Sequence, residues 1–224
     1  MLTAVIFDFD GVIVDTEPLH YRAFQEVLKP LGMGYSWEEY LAAYIGFDDR
    51  DAFRAAFASV GQTISPEHLG DVIALKAQAF NRIISSGVEP YPGVVSLILS
   101  VKKNVPVALC SGALRCDIDP ILEQLSLLGT FDEIVTADDV PISKPDPASY
   151  LLTVQRLSEK FPAAGMLPSS ILAVEDTPAG IASARGAGLR VLAVTNSYPA
   201  DRLGDASSIA PSLENLDFQL LCQV

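Results

Sequence analysis

The feature that most constrains the fold is a series of short apolar runs, rich in β-branched residues, with no alternation of polar and apolar positions. A strand that is apolar throughout is buried on both faces, as in a parallel sheet. Amphipathic helical stretches separate most of these runs, and this alternation predicts a doubly wound α/β sheet with right-handed crossovers. The predicted strands are residues 2–7, 105–110, 133–136, 171–174 and 190–194. The predicted helices are residues 93–103, 114–126, 147–160, 178–187 and 212–221.

Residues 17–88 break this alternation. The pattern there predicts about four helices and no strand, which indicates a separate helical cap inserted after the first strand. Gly87 and the turn that includes Gly93 mark the second hinge, and the first hinge is expected near residues 14–17. The predicted cap helices are residues 17–31, 36–44, 48–60 and 66–85. The predicted domains are an α/β catalytic core of residues 1–16 and 89–224 and a helical cap of residues 17–88.

The charge balance limits the partners of this chain. A net charge of −13 disfavours nucleic acid and anionic membranes, both of which attract basic surfaces. The apolar runs are also far shorter than the ~20 residues that a membrane span requires. The three cysteines lack metal-site spacing and are expected to be reduced thiols of a cytoplasmic protein, which we expect to be a monomer. A phosphorylated substrate would need a metal ion or a local group of cations to offset the negative field.

Polar groups directly follow three of the predicted strands, and one more lies in the connection after another strand. In an open parallel sheet, ligands bind outside the carboxyl ends of the strands, so these groups are expected to meet at one edge. They comprise Asp8 and Asp10 after the first strand, Ser111 and Gly112 after the second, Lys144 in the connection that leaves the third, and Glu175 with Asp176 after the fourth. Two acid pairs, a hydroxyl and a lysine at one edge predict a functional site.

The two acid pairs predict a metal centre. Asp8 and Asp10 are two residues apart in an extended segment, so their side chains start on the same side of the chain. Carboxylates that share a buried strand end repel one another unless a cation lies nearby. Oxygen ligands without histidine or thiol suit Mg²⁺, and the predicted ligands are Asp8, Asp10, Glu175 and Asp176. The alternative is that Asp8 and Asp10 only cap a turn before Gly11.

Ser111 and Lys144 are the candidate contacts to a phosphate. Ser111 precedes a predicted helix, so its hydroxyl and the backbone N–H of Gly112 would meet an anion at a helix N-terminus, with Ala113 as a further substrate contact. Lys144, followed by the rigid Pro145, supplies a cation at the same edge. The alternatives are an N-capping serine and a surface lysine.

The sequence resembles the haloacid dehalogenase (HAD) superfamily. The resemblance rests on Asp8-Phe-Asp10-Gly-Val-Ile-Val-Asp15-Thr, Ser111, Lys144-Pro and Glu175-Asp176, which occur in order over nearly the whole chain. The helical insert after the first motif is similar to the subgroup of β-phosphoglucomutases and small phosphatases. The resemblance implies a Rossmann-like core and Mg²⁺ as cofactor. True dehalogenases of this superfamily lack the second aspartate, so Asp10 favours phosphate chemistry.

The resemblance also implies a mechanism. Asp8 attacks phosphorus and becomes an aspartyl phosphate. Asp10 protonates the leaving oxygen and then activates the incoming water or hydroxyl, while its backbone carbonyl meets the metal. Lys144 and Mg²⁺ offset negative charge, and Ser111 holds a phosphoryl oxygen.

Three cap residues are candidate substrate contacts. Lys76 falls on an apolar helical stripe, where lysine is costly without a partner, so it either points toward the site or extends to the rim. His20 is either a hydrogen-bonded core histidine or a residue that couples the cap to the site. Arg50, in Gly46-Phe-Asp-Asp-Arg50, either grips a distant phosphate or pairs with its acidic neighbours.

The expected function is hydrolysis of a small phosphorylated metabolite, such as a sugar phosphate. The runner-up is a β-phosphoglucomutase-like phosphosugar isomerase, although the long connection at residues 161–170 departs from the compact mutase pattern. A third interpretation is a signalling module phosphorylated on Asp8, which the helical insert and Asp10 disfavour.

Overall fold

The structure is a computed structural model that describes residues 2–44 and 47–224. Gly46, which belongs to the loop segment quoted above, lies outside the described residues. No helix in the described part of the chain is both long and apolar enough to cross a membrane.

Six parallel strands form one sheet in the order β3-β2-β1-β4-β5-β6. This order confirms the predicted doubly wound α/β fold. Strands β2 and β3 are added on one side of β1, and β4, β5 and β6 are added on the other side. The strands are β1 (Ala4–Phe7), β2 (Val107–Cys110), β3 (Glu133–Val135), β4 (Ile171–Glu175), β5 (Arg190–Val194) and β6 (Ser208–Ala210).

Helices cover both faces of the sheet, which explains why β1 is apolar at every position. Val5 and Phe7 contribute to the hydrophobic cluster on one face, and Ala4 and Ile6 contribute to the cluster on the other. The core helices are α5 (Val94–Lys102), α6 (Arg115–Gln124), α7 (Ala148–Lys160), α8 (Pro178–Gly186) and α9 (Phe218–Leu221).

Among the described residues, four helices fill the segment between β1 and α5. They are α1 (Glu17–Leu28), α2 (Trp37–Ala43), α3 (Asp49–Ser59) and α4 (Pro66–Ile84), and a short 3₁₀ turn, Lys29–Leu31, follows α1. Side-chain caps begin three of them. Ser36 forms a capping box, and Asp48 and Ser65 each accept a first-turn N–H.

The helical segment has a hydrophobic cluster of its own and also packs on the core. Phe24, Phe53 and Phe57 belong to the separate cluster, whereas Phe80 and Ile84 near the end of α4 belong to the cluster that covers the sheet. The two connections run side by side, since Val14 pairs with Pro90 and the Tyr91 N–H donates to the Ile13 carbonyl at 2.8 Å. We propose that these paired connections separate the core (residues 1–16 and 89–224) from the cap (residues 17–88), and we use those names below.

Two sequence predictions were wrong at the C-terminal end. The strand β6 was missed because it has three residues, none of them buried. The predicted helix at residues 212–221 is only α9, because Asn215 takes a positive φ of 63° and the helix begins only after the Asp217 side chain caps it. Neither region contributes to the site.

Candidate active site

The site lies at the carboxyl ends of β1 and β4, where the strand order reverses. Asp8 follows the last residue of β1, and its N–H donates to the Val174 carbonyl of β4 at 3.0 Å. Glu175 is the last residue of β4 and Asp176 follows it. This reversal point is where an open α/β sheet leaves a crevice for ligands.

Lys144 joins the two strand ends. Its Nζ lies 2.9 Å from Asp8 Oδ1, 2.6 Å from Glu175 Oε1 and 3.1 Å from the Cys110 carbonyl oxygen, so all three of its N–H groups have acceptors. The buried Tyr150 hydroxyl donates to the same Glu175 oxygen at 2.7 Å. The structure thus brings together Asp8, Lys144 and Glu175 from three separate segments. Lys144 is nearly buried, which contradicts the surface-lysine alternative.

Burial and like charge act against ionised carboxyl groups here. Burial, followed by the charge of Glu175, raises the pKa of Asp8 to about 8, although Lys144 opposes this shift. Burial and the charges of Asp8 and Glu175 hold the pKa of Asp176 well above its usual range. Lys144 stays charged, because the attraction of Asp8 and Glu175 outweighs its burial and raises its pKa. One lysine is therefore insufficient, and a second positive charge would be needed to ionise the whole cluster near neutral pH.

The acid cluster fits a hard cation. Oxygens of Asp8, Glu175 and Asp176 lie within 4.8 Å of one another. Asp176 Oδ2 accepts a hydrogen bond from Ser197, whereas Asp176 Oδ1 is buried without a hydrogen-bond partner. Such an orphaned oxygen is what a metal ligand leaves when the ion is absent. Both Glu175 oxygens already accept protein donors, which favours its role as the counter-ion of Lys144 over direct ligation.

Asp10 occupies a different environment from Asp8. Thr16 donates to its Oδ1, His20 Nε2 lies 3.5 Å from the same oxygen, and the Ser111 hydroxyl lies 3.4 Å from Oδ2. Burial acts to raise the pKa of Asp10, but the hydrogen bond and charge of His20, helped by Thr16, lower it overall. The pKa of Asp8 is therefore raised and that of Asp10 is lowered, so Asp8 can act as an ionised nucleophile only when a further cation lies beside it.

Two glycines allow the acids to approach the backbone. Gly11 has a φ of +77°, and a Cβ atom there would lie 1.8 Å from Asp176 Oδ2. A Cβ atom on Gly180, in the first turn of α8, would lie 1.9 Å from Glu175 Oε2. The Gly11 carbonyl is also fixed, since it accepts the Asn196 side-chain amide at 2.7 Å.

We expect Gly11→Ala to displace Asp176 and to reduce both stability and metal affinity. The left-handed backbone alone costs about 1–3 kcal/mol with a side chain present, and the contact with the Asp176 carboxylate adds to this cost. Chemical denaturation and metal titration measure the two effects. Gly61→Ala is the control, because Gly61 has a similar φ of +72° with no atom within 4 Å of the new Cβ. Equal losses in the two variants would show that the contact with Asp176 is unimportant.

Ser111 does not cap a helix, and the helix N-terminus predicted at Ser111 and Gly112 was also wrong, because the helix begins further along the chain. The next helix, α6, begins at Arg115, and its N-cap residue Leu114 makes no side-chain cap. Instead the Ser111 hydroxyl accepts the Ala113 N–H at 2.9 Å and so shapes the loop beneath Asp10. Gly112 and Ala113 line the cavity described next.

A cavity of about 370 Å³ opens over these groups, between the core and the cap helices. The core contributes Asp8, Asp10, Lys144 and Asp176, and the cap contributes polar and aromatic side chains that include His20. His20 also stacks on Phe80 with ring centroids 4.3 Å apart. This position suits both of its predicted roles, since His20 is buried and contacts Asp10.

Lys76 does not line this cavity. Its side chain is fully buried, so it does not extend to the rim, and its Nζ lies 2.9 Å from Asp49 Oδ1 and 2.7 Å from Asp117 Oδ2. Asp49 belongs to the cap and Asp117 to α6 of the core. His20, Asp49 and Asp117 also have metal-like spacing, but the Lys76 ammonium already occupies the position between the two carboxylates. The predicted substrate contact by Lys76 is therefore replaced by an ion pair between cap and core.

Arg50 does not line the cavity either. Its guanidinium lies 2.7 Å from Asp48 Oδ2 and donates to the core carbonyls of Ala137 at 3.2 Å and Val140 at 3.4 Å. Ser143, next to Lys144, donates to the same Asp48 oxygen at 2.6 Å. The geometry thus favours the alternative in which Arg50 pairs with an acidic neighbour, and this pair fastens α3 to the core.

Sequence reasoning missed several residues that hold the site. Asn196 and Ser197 follow β5, so the rule applied to the other strand ends would have found them. Thr16 was quoted within the first motif without a role. Tyr150 and Asp117 lie inside helices as ordinary amphipathic positions, and no pattern distinguishes them.

Comparisons with known proteins agree with this geometry. Residues 5–194 match the family model described as haloacid dehalogenase-like hydrolase. Protein CbbY of Rhodobacter capsulatus is 32% identical over 204 residues, which cover 88% of this chain and 87% of that protein. Fructose-1-phosphate phosphatase YqaB of Escherichia coli strain K12 is 32% identical over 185 residues, which cover 83% of this chain and 92% of that protein.

A solved structure agrees in fold. The β-phosphoglucomutase of Clostridium difficile superposes with a TM-score of 0.85 at 23% identity, covering 100% of this chain and 96% of that one. At this identity the likeness establishes the architecture alone. The family match spans most of the chain and confirms the resemblance drawn from the motifs: the chain belongs to the haloacid dehalogenase-like hydrolases.

Proposed function

We propose that this protein is a phosphatase that hydrolyses a small sugar phosphate through an aspartyl phosphate on Asp8. The observation that supports this most is the Lys144 ammonium, held between Asp8 and Glu175 beside the orphaned oxygen of Asp176. Family membership and the name of the relative YqaB, a fructose-1-phosphate phosphatase, agree with it. The proposal includes a monomeric, cytoplasmic protein, consistent with two exposed free thiols.

The residues divide the chemistry as follows. Asp8 attacks phosphorus and takes the phosphoryl group, while Lys144 offsets negative charge on both. The pKa of Asp10 is lowered in the free protein, and the negative charge of a bound phosphate acts to raise it, so that Asp10 takes up a proton with the substrate. Asp10, held by Thr16 and His20, then delivers that proton to the leaving oxygen and later accepts a proton from the attacking water. The Ser111 hydroxyl and the loop at Gly112 hold a phosphoryl oxygen.

The donor set fits Mg²⁺, which Asp8, Asp176 and the Asp10 carbonyl would hold. Bound there, Mg²⁺ would supply the second positive charge that polarises the phosphoryl group and ionises Asp8. Enzymatic acceleration corresponds to roughly 8–23 kcal/mol, and positioning supplies at most ~7–11 kcal/mol. Charge stabilisation at this cluster is therefore needed as well.

The competing function is a phosphosugar mutase. A mutase must hold a bisphosphate in two orientations, and so needs cations at the cap end of the cavity to bind the second phosphate. Lys76 and Arg50, the cap cations expected there, pair with cap aspartates instead. This observation favours the phosphatase.

A screen of phosphorylated metabolites with Mg²⁺, with Asp8→Asn as the blank, tests the proposal. We expect Mg²⁺-dependent release of phosphate from sugar phosphates and none from the blank. Incubation of β-glucose 1-phosphate with a trace of glucose 1,6-bisphosphate tests the competing function, since a mutase would yield glucose 6-phosphate. No release from any ester, or glucose 6-phosphate as the main product, would refute the phosphatase.

We expect Asp10→Asn to lower kcat by about 10²–10⁴-fold, because general acid–base catalysis contributes an effect of this size. The amide oxygen can still accept the hydrogen bond from Thr16, and the amide N–H can donate to the Ser111 hydroxyl oxygen, so folding should persist. A substrate with a good leaving group, such as p-nitrophenyl phosphate, needs no proton donor for the first step and should lose less in the variant. Full activity on sugar phosphates would exclude Asp10 as the acid.

We expect Mg²⁺ affinity to rise with pH up to about 8, where the raised pKa of Asp8 lies. Below that pKa the folded protein keeps a proton on Asp8, and the cation must displace it. Calorimetry in two buffers of different ionisation enthalpy should therefore show proton release on binding near neutral pH. A pH-independent affinity would show that Asp8 is already ionised without the metal.

A further inference from the structure

The two ends of the cavity differ in their charged groups. At the core end, Lys144 accompanies the carboxylates of the proposed metal centre. At the cap end, Glu17, Asp48 and Asp49 line the cavity, and among the described residues the cap contributes no lysine or arginine to the lining. The charged carboxylates of the cap end are therefore hydrogen-bond acceptors, while its donors face other protein groups: His20 Nε2 lies 3.5 Å from Asp10 Oδ1, and the Tyr40 hydroxyl donates to Glu17.

The cations nearest these carboxylates are already engaged. Arg50 contacts Asp48 at 2.7 Å, and Lys76 contacts Asp49 at 2.9 Å. Lys76 is fully buried between Asp49 and Asp117, with the rings of Phe24 and Phe80 about it. Turning its ammonium to a ligand would leave two buried carboxylates unpaired.

Two cap acids keep acceptor capacity toward a ligand. Asp49 is 7% exposed and lines the cavity, and its Oδ2 is buried with no hydrogen-bond partner among the described residues. Glu17 lines the cavity too, and in the described part of the chain its Oε2 accepts a hydrogen bond from Tyr40 while its Oε1 accepts none. A ligand that brings O–H or N–H donors would satisfy these oxygens, whereas a ligand that brings an anion would add like charge.

Aromatic side chains complete the same wall. Phe24, Tyr40 and Phe47 line the cavity from the cap. Aromatic faces pack against the C–H surface of a sugar ring, and they attract cations but not anions.

We infer that the leaving group of the substrate bears hydroxyl or amino groups and no second anionic group, so that the site accepts sugar monophosphates and amino-sugar phosphates and rejects bisphosphates. This inference rests on the proposed function, since it assigns the substrate class of the same site. Like charges placed together cost enough for discrimination on the order of 100-fold.

Among the described lining residues, Arg202 is the arginine that could oppose this selection. It lies in the exposed turn Ala200–Arg202 of the core and lines the cavity, as Tyr198 does. If Arg202 bound a second phosphate, Arg202→Gln would weaken the binding of bisphosphates and leave the binding of monophosphates unchanged.

The test compares fructose 1-phosphate with fructose 1,6-bisphosphate, which share the same phosphate ester at one end. Binding is measured by calorimetry on Mg²⁺-loaded Asp8→Asn protein, so that the result does not depend on turnover. We expect the bisphosphate to bind on the order of 100-fold more weakly, and glucosamine 6-phosphate to bind at least as tightly as glucose 6-phosphate. Adding Glu17→Gln to this protein should reduce the ratio of the dissociation constants of fructose 1,6-bisphosphate and fructose 1-phosphate about tenfold, because it removes one cavity charge. Asp71→Asn, on the exposed face of α4, is the control and should leave this ratio unchanged.

Each result separates the inference from the proposed function. Equal or tighter binding of the bisphosphate, or a selective loss of its binding in Arg202→Gln, would overturn the inference and leave hydrolysis standing. Selective monophosphate binding without turnover by the wild type would support the inference and refute hydrolysis. Failure of every sugar phosphate to bind would overturn both.

Discussion

Asp8→Asn is expected to abolish phosphate release from sugar phosphates, with a fall in kcat/KM of about 10⁴-fold or more. The amide cannot attack phosphorus, and loss of a nucleophile that acts within a cooperating set removes nearly all of the chemical acceleration. Steady-state assays with Mg²⁺ and saturating substrate measure the effect.

The same variant should not be less stable than the wild type, which separates lost chemistry from lost folding. The pKa of Asp8 is raised from 3.8 to about 8 by burial and by Glu175, so the folded state binds more protons than the unfolded state between these values. The stability of the metal-free wild type therefore falls as pH rises through this window. Asparagine does not titrate, so the variant lacks this loss. We therefore expect the free energy of unfolding of the variant to rise relative to that of the metal-free wild type from pH ~5 to ~8. A variant that unfolds at neutral pH would make its inactivity uninformative and contradict the electrostatic account.

Lys76→Met is expected to lower the free energy of unfolding by about 3–5 kcal/mol. Methionine keeps the length of the side chain and packs between Phe24 and Phe80, but it leaves Asp49 and Asp117 buried without a cation. Because these carboxylates belong to cap and core, kcat/KM should fall as well. Chemical denaturation at pH 7 measures the loss of stability.

The control for this prediction is Lys29→Met, which changes an exposed lysine of the cap. We expect that variant to stay within about 0.5 kcal/mol of the wild type. Adding Asp117→Asn to Lys76→Met should restore part of the stability, because it removes one of the two unpaired charges. A loss below about 1 kcal/mol, or further destabilisation by Asp117→Asn, would contradict the buried ion pair.

The fold could be predicted because buried parallel strands leave a strong local pattern. The strands β1 and β2 are apolar at every position and β4 is apolar up to its last residue, Glu175, since both faces of the sheet are covered. The edge strand β6 could not be recognised, because an exposed edge of three residues has no such pattern. The candidate site followed from the same topology, since β1 and β4 carry Asp8 and Asp176 to one edge.

The partners of the cap cations could not be predicted. Lys76 was recognised as an inward-facing lysine that needs a partner, but Asp117 lies 41 residues away on another helix. Only the packing of α4 against α6 decides that pairing. The role of Arg50 was ambiguous for the opposite reason, because acids nearby in the sequence, such as Asp48, always allow a local ion pair. The core carbonyls that complete its contacts are 87 and 90 residues distant and could not be foreseen.

Trapping the phosphorylated enzyme tests most directly whether Asp8 carries the phosphoryl group. The protein would be mixed with labelled fructose 1-phosphate and Mg²⁺, quenched in acid within one turnover, digested, and the labelled peptide sequenced by mass spectrometry. The account predicts label on the peptide that contains Asp8, at the aspartate itself, and its loss when Mg²⁺ is chelated. Turnover without label on Asp8, or label on another residue, would contradict the claim that Asp8 carries the phosphoryl group.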